Sequence, residues 1–227
     1  MPSFGIVAGC TAAAHVGRRQ LIATAQRMDA LGLGRGTAGN LSVRTEGGDA
    51  AGFLITPSGM PSATLVAEDI VFMRFDGTFV GCRKPSSEWR FHRDIYVSRP
   101  DAGAVLHAHP PFATSVACLR RDIPAFHYML ARFGGDTLRC AAYATFGTQA
   151  LSDAVLLAMA DRRACLLANH GMLVFGDDLT HALALGVELE ALCEQYWRAC
   201  QLGQPVLLDA AEMATVLDRF ASYGQQV

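Results

Sequence analysis

Two histidines separated by one residue, His107-Ala108-His109, sit in the run AVLHAHPPFAT at residues 104 to 114. The run reads as a strand up to its prolines, and strand side chains at i and i+2 project from one face. Two imidazoles placed that way converge on a single point, which suits a cation. His170 is a third imidazole, in the turn Asn169-His170-Gly171 between two apolar runs, where glycine lets the backbone approach closely. Three imidazoles and a carboxylate form a common ligand set for catalytic zinc, with a position left for substrate. Glu88 is the available carboxylate, in the first turn of a helix opened by Pro85-Ser86-Ser87, where an acidic side chain also complements the helix dipole. His92 lies four residues further on the same helix face and is read as a neighbour of Glu88, not as a ligand.

Three segments are suited to an oxyanion such as a phosphate: Gly36-Thr37-Ala38-Gly39-Asn40, Thr56-Pro57-Ser58-Gly59, and Ser86-Ser87. Each presents small side chains, hydroxyls or free amides. None matches the P-loop or dinucleotide fingerprints, so nucleotide use has no support. Lys84 is the only lysine in the chain, flanked by Arg83 and Pro85, so a Schiff-base mechanism would depend on it alone. Carbonyl chemistry here points instead to a metal acting as Lewis acid.

These residues need a scaffold, and the 227-residue chain is large enough to bury a substantial core as one domain, taken as 1-227. Helical spacing runs from Thr11 to about Leu31, over about 85 to 98, from Pro110-Pro111 through Leu119, over LSDAVLLAMA, over 178 to 202, and from Asp209 through Phe220. Strand signals fall at 41 to 44, at 53 to 55, in IVFMRF and TFV around Asp76-Gly77, in the histidine run, and in ACLLA and MLVFG. Residues 120 to 147 carry no clear period. The pattern predicts an α/β fold with a central, predominantly antiparallel sheet flanked by helices.

Composition excludes several classes. A net charge of -2 and a pI near 6.4, without an arginine cluster interleaved with aromatics, argue against a nucleic-acid partner. The longest uninterrupted apolar run, AVLLAMA at 154 to 160, is too short to span a bilayer. The N-terminal stretch lacks a charged leading segment, so a cytoplasmic location is expected. Seven cysteines without CxxC spacing are expected to be reduced.

In chain order, GTAGNLSVR, ITPSG, KPSSEWRFH, VLHAHPPFAT and NHG resemble the class II aldolase/adducin family over nearly the whole sequence. IPAFHYMLARFGG, AAYATFGT and FASYG extend the resemblance to the family's L-fuculose 1-phosphate aldolase branch. The resemblance implies a ring-shaped homotetramer with active sites between subunits, and Zn2+, or Mn2+ or Co2+, held by His107, His109, His170 and Glu88. It implies that Glu88 is the catalytic acid/base, lying on the metal in the empty site and displaced by substrate. Gly39, Asn40, Ser58, Gly59, Ser86 and Ser87 become the phosphate cradle. Tyr128 becomes a tyrosine supplied by a neighbouring subunit to handle the proton of the aldehyde oxygen, and Tyr223 one in a mobile C-terminal segment. The mechanism asks that burial raise the pKa of Glu88 toward neutrality.

The implied reaction is cleavage of an L-fuculose 1-phosphate-like ketose 1-phosphate to dihydroxyacetone phosphate and a small aldehyde. The chain departs from that branch in its N-terminal segment and in a tail that ends GQQV after Tyr223. The alternatives are a 5-deoxyribulose or 5-methylthioribulose 1-phosphate aldolase and a pentulose 5-phosphate 4-epimerase. Epimerases resembling the family carry aspartate where Glu88 stands. A non-catalytic adducin-like scaffold ranks last, because all three histidines and the glutamate are present.

Overall fold

The computed structural model describes residues 12–34, 36–45 and 51–222. Among these, eight strands form one sheet: β1 (Asn40–Thr45), β2 (Gly52–Ile55), β3 (Val71–Arg74), β4 (Phe79–Val80), β5 (Ala104–Ala108), β6 (Cys140–Ala141), β7 (Ala164–Leu167) and β8 (Gly171–Gly176). Their spatial order is β4-β3-β2-β1-β5-β8-β7-β6. All pairings are antiparallel except β6 with β7. The sheet is thus the predominantly antiparallel one expected. Its parallel edge lies in the stretch where periodicity is lost, because β6 is only two residues long.

The helices are α1 (Ala12–Ala30), α2 (Trp89–Ser98), α3 (Pro111–Ala117), α4 (Gln149–Ala158), α5 (Leu179–Leu202) and α6 (Ala210–Ser222). Two apolar clusters form, one on each face of the sheet. Leu106 of β5 joins Leu21 of α1, Val116 of α3 and Leu189 of α5, whereas Val105 joins Phe91 and Ile95 of α2 and Val155 of α4. Coverage on both faces explains why β5 and β8 are buried at every position and read as continuous apolar runs rather than alternating ones. His107 is the polar interruption in β5, and it faces the α2 side.

Side chains start the last two helices where expected. Asp178 accepts from the His181 amide at 2.7 Å, and Asp209 from the Glu212 amide at 2.8 Å. Several boundaries differ from the sequence reading, two of them beside the site. Helix α3 stops at Ala117 instead of Leu119, since Arg120 turns into the left-handed region with φ 53°. Helix α2, expected from about residue 85, begins at Trp89, with Glu88 as its N-cap and no capping bond from the Glu88 side chain. The amide of Glu88 donates to Ser86 Oγ at 3.3 Å, which leaves the carboxylate free to turn elsewhere.

Register carries the rest. Asn40 of β1 pairs with His107 of β5, and Ala108 of β5 with Met172 of β8. Leu167 pairs with Gly171, so residues 168 to 170 form a three-residue turn beside the end of β5. Among the described residues no helix is long and apolar enough to cross a membrane, and the six cysteines are free; Cys10 lies outside them.

A candidate metal centre and the cavity around it

His107 is completely buried. Its Nδ1 lies 2.9 Å from the Met172 carbonyl, which can only accept, so Nδ1 carries a proton and Nε2 is the nitrogen turned toward the cluster. His109 follows the last residue of β5 and returns to the same face, placing its Nε2 2.8 Å from His107 Nε2. The ring of His170 is centred 4.8 Å from both. The ligating atoms of the three histidines fall within 4.8 Å of one another.

Two backbone features place His170. Asn169 takes φ 53°, and its side-chain oxygen accepts from Arg120 Nε at 2.5 Å. Gly171 then passes so close to β5 that a Cβ there would lie 2.4 Å from the Ala108 carbonyl and 2.6 Å from Cδ2 of His109. Only glycine allows the turn to reach the cluster.

Glu88 completes it. Oε2 lies 3.1 Å from His107 Nε2 and accepts from Asn40 Nδ2 at 2.9 Å; Oε1 faces His170 Nε2 at 3.3 Å. Oε1 is buried without a hydrogen bond. A buried orphan carboxylate oxygen beside three converging imidazole nitrogens fits a divalent cation. Burial, and then the charge of His107, lowers the pKa of both His109 and His170 to about 4, so both are neutral and able to ligate near pH 7. For Glu88 burial alone would raise the pKa. The charge and hydrogen bond of His107, joined by His170 and Asn40, outweigh burial and hold the carboxyl below its usual range, opposite to the rise expected from burial.

His92 is not part of the cluster. Its buried ring bonds to Asn40 and Ser42, and burial, reinforced by the charge of His107, lowers its pKa to about 3.

A cavity of about 380 Å³ opens from the cluster, and all six residues read as an oxyanion cradle line it, together with Glu88, His109 and His170. Three tied segments build the cradle. Leu41 and Thr56 exchange hydrogen bonds; the Ser86 amide donates to the Thr56 carbonyl at 3.1 Å, and the Ser58 amide to the Lys84 carbonyl at 3.1 Å. Gly39 has φ 90°, and a Cβ there would meet the His107 carbonyl at 2.9 Å. No lysine or arginine is among the described residues lining the cavity, so an anion bound there is held by amides and hydroxyls.

The remaining sites divide. Tyr128 is half exposed on a 3-10 turn (Tyr128–Phe133), stacks on Phe220, and does not line this chain's cavity. Tyr223 lies outside the described residues. Lys84 is exposed and absent from the cavity wall. Tyr143 and Phe146 line the cavity while remaining largely exposed, and neither was singled out from sequence. Their only signal was the AAYATFGT run within the aperiodic stretch.

Residues 19–197 match the family described as Class II Aldolase and Adducin N-terminal domain, and the chain belongs to that family. The protein is a class II aldolase, a lyase. It is 56% identical over 207 residues to a 5-methylthioribulose-1-phosphate/5-deoxyribulose-1-phosphate aldolase from Rhodospirillum rubrum, covering 91% of this chain and 92% of the relative. It is 46% identical over 210 residues to the L-fuculose phosphate aldolase of Escherichia coli, covering 92% and 96%. Among solved structures, an L-fuculose 1-phosphate aldolase superposes with a TM-score of 0.86 at 40% identity, covering 91% of this chain and 96% of the other.

Proposed function

We propose that this aldolase cleaves a 5-deoxy- or 5-methylthio-pentulose 1-phosphate to dihydroxyacetone phosphate and a small aldehyde with an apolar end. The observation that carries the reading is the single cavity that joins the histidine-glutamate cluster to the Gly/Ser cradle and to the exposed rings of Tyr143 and Phe146. A methyl or methylthio group gains by packing against such rings, whereas a hydroxylated end would lose hydration there. The higher identity of the Rhodospirillum rubrum relative supports the same order and favours this alternative over L-fuculose 1-phosphate, the first choice from sequence.

Zn2+, or Mn2+ or Co2+, is the proposed cofactor, held by His107, His109, His170 and, without substrate, Glu88. Such a cation supplies Lewis-acid stabilisation of the negative charge that develops on the substrate oxygens. The chain does the rest. Gly39, Asn40, Ser58, Gly59, Ser86 and Ser87 hold the phosphate and set the reacting carbons beside Glu88. When substrate displaces Glu88 from the histidines that hold its pKa down, the carboxylate takes up a proton from solvent; when the carbon-carbon bond breaks, its electron pair stays on the ketose fragment, and Glu88 delivers that proton to the carbon. Tyr128 of a neighbouring subunit in a homotetramer exchanges the proton of the aldehyde oxygen; its absence from the wall of its own chain's cavity supports a role across an interface. Tyr223 is assigned to the same end of the substrate. Glu88, where the epimerases of this fold carry aspartate, favours cleavage over epimerisation.

A panel of ketose 1-phosphates, with dihydroxyacetone phosphate release as readout, tests the reading. The expected order of kcat/KM places the 5-deoxy and 5-methylthio substrates above L-fuculose 1-phosphate. A reversed order would restore the fuculose reading, and an epimer formed without dihydroxyacetone phosphate would remove both.

A further inference from the structure

Helix α2 and strand β1 meet through a row of buried polar groups that begins at Glu88 and Asn40 and continues into three side chains the reaction described above does not use, His92, Ser42 and Tyr96. Glu88, His92 and Tyr96 stand four residues apart at the start and along one face of α2; Asn40 and Ser42 stand two apart on one face of β1. Four helical residues advance about 6 Å and two strand residues about 6.6 Å, so the rows interleave nearly in step. Asn40 Nδ2 lies 2.9 Å from Glu88 Oε2, and Asn40 Oδ1 lies 2.5 Å from His92 Nε2. His92 Nδ1 lies 2.7 Å from Ser42 Oγ, which lies 2.8 Å from the Tyr96 hydroxyl. All five side chains are buried.

Donor and acceptor roles propagate along this row from one end. The Glu88 carboxylate only accepts, so Asn40 turns its NH2 toward it and its carbonyl toward His92. His92 Nε2 must then carry the proton. In a neutral ring Nδ1 is left as acceptor, Ser42 donates to it, and Tyr96 donates to Ser42.

From this row we infer that His92 is a positioning residue: as the Nε2-H tautomer it pins the Asn40 amide, which keeps its hold on Oε2 of Glu88 when substrate displaces the carboxylate from the cluster and leaves Oε1 as the oxygen that exchanges the proton with substrate. Without that ring proton, Asn40 is free to turn its carbonyl toward the carboxylate, acceptor against acceptor, and Glu88 loses its fixed orientation. The kinetic part of the inference rests on the aldolase reading; the tautomer does not.

Two measurements test it. Nitrogen-15 NMR of the full-length, histidine-labelled protein in chelator is expected to show His92 as a neutral Nε2-H ring throughout the range from about pH 8 to about pH 5.5. An Nδ1-H ring or an imidazolium at His92 overturns the inference. In the metal-loaded enzyme, His92→Phe is expected to lower kcat by about 10- to 100-fold. KM for the ketose 1-phosphate and the bound metal should stay near wild type, and His92→Gln, whose amide still donates to Asn40, should recover most of the loss. If His92→Phe does not fold, Ser42→Ala, which frees Nδ1 and lets the ring turn, takes its place with a smaller fall in kcat. Wild-type kcat in the variant that folds, or a loss confined to KM, overturns it. Should the wild-type protein cleave no ketose 1-phosphate, the proposed function fails while the tautomer still decides this inference.

Discussion

His107 Nε2 and His109 Nε2 lie 2.8 Å apart, and the Nδ1 of His107 is committed to the Met172 carbonyl. In a neutral ring the His107 Nε2 therefore faces its neighbour as an acceptor, and the pair tolerates the contact only with a proton or a cation between them. Without metal, a neutral His109 bridges the gap by donating its Nε2–H to that lone pair; a divalent cation held there, as proposed, would require His109 to carry its proton on Nδ1 instead. The arrangement thus couples metal binding to the tautomer of His109.

His170→Ala tests the ligand set with little risk to the fold, since His170 sits in a turn and not in the buried sheet. The variant is expected to fall from roughly one tightly bound divalent ion per chain to nearly none, and to lose activity with it. Elemental analysis after dialysis is the measurement. Retention of stoichiometric metal would show that the three imidazoles do not act together.

The metal-free protein should be acid-labile in a defined window. The pKa of His109 and of His170 is lowered to about 4, and that of His92 to about 3, in each case first by burial, whereas the unfolded chain titrates near 6.5. Below about 6.5 the unfolded state binds protons that the folded state refuses, so stability falls with pH until the folded rings protonate in turn. Glu88 adds in the same direction at lower pH: its carboxyl is held below the usual range, so its contribution is present above the unfolded value of about 4.3 and is lost as pH falls through the folded one. Thermal melts in chelator should show a midpoint that is flat above about pH 7 and falls steadily below about pH 6.5. A midpoint unchanged to about pH 5 would contradict the neutral buried rings.

What the sequence disclosed, and what it did not, follows the range of the interactions. The projection of His107 and His109 to one face is a local consequence of strand geometry, and the glycine after His170 marks a close approach that the fold indeed makes. The sheet class was readable from period and hairpin signals. The link between His92 and Asn40 was not, because it depends on the register of a helix against a strand 52 positions away. Glu88 was read as lying within the first turn of its helix and is its N-cap, since a side chain turned into the histidine cluster leaves no cap signature. Tyr143 and Phe146 escaped notice for a different reason: their loop has no period, and its position is fixed by contacts such as Arg90 donating to the Gly147 carbonyl at 2.6 Å.

Gly171→Ala isolates the close approach of the turn. Its new methyl would overlap the Ala108 carbonyl and the ring of His109, neither of which can yield without moving a ligand. The variant is expected to lose about 1–3 kcal/mol of stability and to bind the divalent ion more weakly. Denaturant unfolding with and without metal checks both effects. A wild-type metal affinity would mean that His109 adjusts freely and that the turn is not held in place by this contact.

Tyr128 offers the sharpest test of a shared site, because its exposed ring stacks on Phe220 and lies off its own chain's cavity. Tyr128→Phe and Glu88→Gln should each lower turnover, the latter by about 10²- to 10⁴-fold with its metal retained. Mixed and reassembled in equal amounts, the two variants form some sites that pair Glu88 from a Tyr128→Phe subunit with Tyr128 from an adjoining Glu88→Gln subunit. Random assembly in a closed ring makes roughly a quarter of the sites intact, and about that fraction of wild-type activity should return. If both groups instead served the same chain, an intact site would need both from one subunit, no mixed ring would contain one, and the mixture would stay as inactive as its components.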